Sequence, residues 1–217
     1  MGITDHAEHE LDLIAKAIRA YGWDALKTVA YYQRVLDKDV RDLYAGELDR
    51  DAFVDDMVRL IDEQFDRAWR EGLRANGIEP KESKPEWDKV LDERKVQELD
   101  YVENFADDIL GAKKEDTPID PLRARVSLWA NRYNEVVNLA QLTSGQDHKY
   151  KWIYGDTDHC STCYTLNGVV AYGEDWAASG LHPQGAPNNR LECQGWHCQC
   201  RLEITDEPLT EPGIPNV

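Results

Sequence analysis

Residues 159–163 read HCSTC and residues 191–203 read LECQGWHCQCRLE; together these two stretches hold all five cysteines of the 217-residue chain. Cys160 and Cys163 are separated by two residues, Cys193 and Cys198 by four, and Cys200 follows after one more. A C-x-x-C knuckle presents two thiolates to one ion, and the second group can supply the other two that tetrahedral zinc requires. Three chemistries are open to such a cluster: a structural zinc site, disulfide or redox pairing, and free thiols. An odd number of cysteines argues against a full disulfide framework. A thioredoxin-like pair would start a helix in a parallel β-α-β setting, and the sequence suggests none. The reading therefore expects structural zinc on Cys160, Cys163, Cys193, Cys198 and Cys200, with His159 and His197 as neighbouring donors.

Working outward, the composition divides the chain. The net charge is −17, from 25 basic and 42 acidic residues. Residues 1–120 carry 31 of those acids and 18 of the bases, and only four acids in excess lie beyond. So acidic a chain is a poor general binder of nucleic acid, because neutralising phosphates needs clustered Lys and Arg, and it is equally ill suited to an anionic membrane surface. The opening residues, MGITDHAEHELDL, lack the basic and apolar regions of a secretory signal. No apolar run approaches the ~20 residues of a membrane span. The expectation is a soluble protein that stays where it is made.

Before the cysteines the apolar residues recur at spacings of three and four, the mark of helical faces packed in a core. Leu11, Ile14, Ile18 and Tyr21 form one such face. Leu26, Val29, Ala30, Leu36, Val40, Leu43 and Tyr44 form the next. A third helix starts after an Asp49 or Asp51 cap, carries Phe53 to Leu73, and ends at Asn76-Gly77. A linker over 77–85 leads to a helix over 86–110, a second break follows, and another helix spans 121–142. Short strands are expected over 151–154, 166–170 and 201–204, the second with a turn at Asn167-Gly168, and a helical turn or two near 175–178. Residues 182–190 read as a loop. The tail beyond 206, with three prolines in its last ten residues, reads as extended or mobile. The resulting expectation is mainly α: a helical region over 1–112, a small zinc-stapled α+β module over 118–206, and a tail over 207–217.

Read in order, the helix PLRARVSLWANRYNEVVNLAQL, the segment KWIYGDTDHCSTCYTLNGVV, the segment DWAASGLHP and the closing LECQGWHCQCRLE resemble the C-terminal region of the Mu F-like phage head morphogenesis family, the minor head or minor capsid proteins. The resemblance covers residues 121–204. It implies a structural role in assembling a tailed-phage or prophage head, with portal protein and major capsid or scaffold proteins as partners, a homo-oligomer on the head, and localisation in the virion. It implies no established enzymatic activity. Many members close with His-Pro-Asn-Cys-Arg-Cys, whereas here His197 directly precedes Cys198 and Cys193 stands upstream. The metal set expected is Cys160, Cys163, Cys193 and Cys198, with Cys200 or His197 as the substitute.

Two further readings compete. His159, Asn167, His182 and His197 could form the set of a zinc-knuckle nuclease or other hydrolase acting during DNA packaging. Alternatively, the acidic region 1–120 could compete with nucleic acid for a basic partner, though that idea leaves the cysteines unexplained. For docking, Trp196, Trp176 and Trp152 are the interface candidates, since aromatic residues anchor interfaces; the alternative is that they fill the module's own core.

Overall fold

A computed structural model of the chain describes residues 29–155, 158–196 and 198–217. The helical face expected at Leu11, Ile14, Ile18 and Tyr21 lies outside the described residues, as do Leu26 and His197.

Helix α1 (residues 29–45) stops where Gly46, at φ +86°, donates back to the carbonyls of Asp42 and Leu43. Helix α2 (Arg50–Ala75) begins at Asp49, whose carboxylate accepts the Ala52 amide at 2.8 Å; a short acidic side chain there satisfies an amide that has no partner within the helix. The helix ends at Asn76, with Gly77 in the left-handed region. Phe53, Met57, Leu60, Ile61, Phe65, Ala68, Trp69 and Leu73 form its buried stripe. A short 3-10 turn (Pro80–Glu82) occupies the linker. Helices α3 (Pro85–Lys114) and α4 (Asp120–Ser144) each carry a proline in the first turn, where its missing N–H costs no hydrogen bond. Both run slightly longer than the apolar periodicity predicts.

Helices α1 to α4 share one apolar core. Helices α2 and α4 approach closely at Gly72, where a methyl group would stand 2.5 Å from both the Ala140 Cβ and the Val137 carbonyl oxygen. Only glycine allows that contact.

Beyond α4 the chain forms a three-stranded antiparallel sheet in the order β2-β1-β3, from β1 (Lys149–Ile153), β2 (Val170–Tyr172) and β3 (Arg201–Ile204). Between β1 and β2 lies α5 (Ser161–Leu166), and α6 (Gly173–Ser179) follows β2 directly. Only the end of the segment read as a strand over 166–170 is β: α5 takes Leu166, and Gly168, at φ +85°, makes the turn. A second core gathers Leu142, Tyr150, Trp152, Leu166, Trp176, Leu181 and Leu202 with three of the cysteines. The Trp176 indole donates to the Tyr150 carbonyl at 3.1 Å and its ring lies 5.6 Å from that of Trp152.

The protein is thus mainly α, with a small α+β unit at its C-terminal end. The two cores meet near Leu142, so the division over 112–118 read from the sequence does not follow the packing. Helix α4 sends Val126, Trp129, Tyr133, Val136 and Ala140 into the helical core; its apolar face matches α2. The tail is likewise not free. Thr210 donates its amide to the Val170 carbonyl at 3.0 Å and accepts the Val170 amide on its hydroxyl at 2.9 Å. Lys149 donates to the carbonyls of Asp206 and Glu207, and Lys151 pairs with the Glu207 carboxylate. Among the described residues no helix is long and apolar enough to cross a membrane.

Candidate metal centre

Five thiols from three segments meet at one end of the sheet, and none is in a disulfide. Cys160 caps the N-terminus of α5 and Cys163 lies in its first turn, so one helical turn brings their sulfurs to 3.4 Å. Here the structure departs from the sequence reading, which saw no helix starting at the C-x-x-C. The setting is still not β-α-β, because β1 and β2 are antiparallel.

Cys193 lies in the turn before β3. Gln194 and Gly195 both have positive φ there, and a methyl on Gly195 would approach the Ala186 amide to 2.9 Å. Cys198 and Cys200 lead into β3, both buried. Glu192 ties the two cysteine segments together. Its carboxylate accepts the Ser161 amide at 2.7 Å and the Ser161 hydroxyl at 2.6 Å, and its own amide donates to the Thr162 hydroxyl. Those donors at Ser161 hold the Glu192 carboxyl below its ordinary pKa.

The sulfurs form two triangles, Cys160-Cys163-Cys193 and Cys163-Cys198-Cys200, each with all members within 4.8 Å of one another. Zinc–sulfur bonds of about 2.3 Å in a tetrahedron set neighbouring sulfurs roughly 3.8 Å apart. The donor set therefore fits a thiophilic metal ion, and the cluster could hold one. The expected foursome takes the first triangle and Cys198 from the second; Cys200 belongs to the same cluster. His159 sets its Nδ1 3.8 Å from the Cys200 sulfur and stacks on Tyr154 at 4.0 Å.

The surroundings favour negative sulfur at Cys200. The thiols of Cys163 and Cys198, with the Gly155 amide, pull its pKa down to about 3, and the nearby Trp152 indole acts in the same direction. The same contacts push the Cys163 thiol up, and burial pushes Cys193 up to about 12. Among the described residues the buried Trp152 indole N–H has no partner at bonding distance, a donor suited to a thiolate. A metal ion would let the remaining thiols ionise as well.

A second feature went unread in the sequence. Arg94 forms a two-pronged pair with Glu135 at 2.8 and 2.9 Å and a further pair with Glu98 at 2.5 Å. Arg132 contacts Glu98 at 3.3 Å and Glu135 at 3.1 Å and donates to the Ala186 carbonyl at 2.6 Å. Burial alone would lower the Arg94 pKa, but its bonds to Glu135 and Glu98 raise it. This network links α3 and α4 to the loop that supports the cysteines, and Gln184 of that loop donates to the Cys200 carbonyl at 2.9 Å. A signal was present: Leu91, Arg94, Glu98, Val102, Phe105 and Ile109 follow one another at helical spacing, so two charges sit on an apolar stripe.

The interface candidates divide. Trp152 and Trp176 are fully buried in the module's core, which removes them as docking residues: a three-stranded sheet with two short helices has few other groups large enough to fill its interior. Trp196 is half-buried, with the Arg132 guanidinium 5.4 Å from its ring, so part of its surface is spent on the helical body. Of the residues in the nuclease reading, Asn167 accepts the Tyr154 amide at 3.1 Å. His182 is packed beside Glu135, and burial lowers its pKa. No protein-family model, curated protein or solved structure matches this chain.

Proposed function

We propose that the chain is a structural and assembly protein of a tailed-phage or prophage head. In this reading it is a minor head protein of the Mu F-like kind, located in the virion, that works with portal protein and with major capsid or scaffold proteins. The cluster holds one structural zinc ion. The observation that carries the zinc reading is a donor set, buried or half-buried throughout, made wholly of cysteine sulfur; structural zinc favours four thiolates, whereas catalytic zinc keeps an open position among histidines and carboxylates. The same donor set favours a non-enzymatic role over the nuclease reading. The head reading rests on the ordered resemblance over residues 121–204.

The residues named here would hold the metal, and the ion would add the crosslinks that a small core needs. The exposed part of Trp196 is the contact offered to a partner. The acidic surface suits a protein that lies near packaged DNA without binding it.

Two measurements test the reading. Elemental mass spectrometry of the purified protein is expected to give about one zinc per chain, with thiols reactive only after chelation. Heads purified from the phage or induced prophage that encodes the chain are expected to contain it, crosslinked to the portal. Absence from both immature and mature heads would overturn the assembly role whatever the metal content.

A further inference from the structure

A single tetrahedral ion uses four sulfurs, and this cluster has five. They are arranged as two triangles sharing only Cys163, and none is a surface thiol: Cys163, Cys198 and Cys200 are buried, Cys160 and Cys193 half-buried. Three sulfurs in a plane around one ion is the arrangement preferred by soft monovalent d10 cations, and thiolate is the ligand that selects copper(I). We propose that the cluster is also a two-centre thiolate site for copper(I), with the Cys163 sulfur bridging one ion in the Cys160-Cys163-Cys193 triangle and a second in the Cys163-Cys198-Cys200 triangle.

The proposal rests on the reading that the cluster binds metal through thiolates, and goes beyond it in number and kind of ion. A single zinc on the expected foursome leaves Cys200 over, yet Cys200 is 1% exposed and lies beside the buried Trp152 indole N–H, which among the described residues has no hydrogen-bond partner. The second triangle gives this otherwise surplus sulfur a metal ion to bind. The Cys200 end also has His159 alongside, at 3.8 Å and fixed by its stack on Tyr154.

The chemistry balances without electron transfer. Two copper(I) ions displace the zinc ion, five thiolates coordinate them, and each thiol still protonated releases its proton to solvent. The product carries three net negative charges, which amide and indole N–H groups and the His159 ring can stabilise.

The test uses the full-length zinc-loaded protein under anaerobic, reducing conditions, titrated with copper(I) as its acetonitrile complex. Native mass spectrometry counts copper and zinc per chain, and copper X-ray absorption reads the ligands. The expected result is two coppers per chain, zinc released, about three sulfurs per copper by the geometry above, and a short copper–copper scattering path. Cys163→Ser is expected to abolish that path. Because this buried position can compromise folding, Cys193→Ala, at a half-buried one, is the second variant: it breaks one triangle, and the count is expected to fall to one copper with no copper–copper path. One copper in the unaltered protein, two without the short path, or two retained in Cys193→Ala would overturn the proposal. Zinc bound with only a single copper would sink it while leaving the zinc reading intact; a chain that takes up neither metal would overturn both.

Discussion

The helical body and the cysteine module solve the same problem by different means. The body buries a long apolar stripe from each of several helices, with Phe53, Phe65, Phe105, Val40 and Val102 wholly removed from solvent. Its stability comes from area, and it needs no crosslink. The module has a short sheet, two helices of seven residues or fewer and many turns. Three of its buried core residues are cysteines. What it lacks in apolar area its sulfurs could supply: the metal ion proposed above would convert crowded thiols into a crosslink. Between the two lies a seam of buried charge that belongs to neither solution.

The largest effect expected is from metal removal. Structural zinc is worth on the order of 10 kcal/mol in small domains. Chelation is therefore expected to unfold the module and spare the body. Hydrogen exchange read by mass spectrometry should lose protection over residues 149–204 and keep it over 50–114. Equal loss in both would show that the two cores are one cooperative unit.

The converse perturbation is Phe105→Ala. This ring is fully buried and packs 4.6 Å from Trp129, and truncation of such a residue costs about 3–5 kcal/mol. The denaturation transition of the body should shift by that amount while zinc content per chain stays constant. Zinc loss in the folded variant would deny the module its independence.

The seam sharpens the comparison further. Arg132→Met leaves Glu98 and Glu135 each short of a buried partner and frees the Ala186 carbonyl. Breaking a buried pair from one side costs roughly 3–5 kcal/mol, but Arg94 still reaches both acids, so the lower end of that range is expected. The diagnostic outcome is separation of the body and module transitions in thermal unfolding; a shift with no separation would assign the network to the body alone.

The smallest effect belongs to a single acid in the body. Asp39 is buried, and desolvation, with the nearby Asp56 carboxylate second, raises its pKa to about 6. A folded-state value above the unfolded one means that the folded state holds its proton more tightly. The penalty is therefore absent below about pH 4 and grows as pH rises through about 6. Asp39→Asn is expected to stabilise the body by about 1–2 kcal/mol at pH 7 and to flatten stability between pH 4 and 7. No change in that pH dependence would refute the assignment.

What the sequence revealed follows the same divide. In the body, periodicity placed the buried faces and the ends of α2 because each depends on residues near in sequence: Asp49, Asn76 and Gly77 are local signals. Strand β3 could be read over Arg201–Ile204 for the same reason. The sequence did not reveal that α4 belongs with α2, since its apolar face looks the same whichever core it joins; the close contact at Gly72 that fits the two helices together involves Val137 and Ala140, too distant in sequence for any local spacing to announce it. The cysteine spacing suggested convergence, but not the sharing of Cys163 between two triangles, which depends on how α5 and the approach to β3 lie across one another. The charges of Arg94, Glu98, Arg132 and Glu135 were masked by a surface rich in the same residue types.

The returning tail has a consequence for behaviour at high concentration. A short sheet exposes unpaired backbone at each side, an invitation to another chain. Here Thr210 occupies the outer side of β2, and the Leu202 amide in β3 is taken by Asn138 of α4 at 3.3 Å. Copies can therefore be crowded together without stitching strand to strand, and truncation before Thr210 should turn a well-behaved solution into one that aggregates.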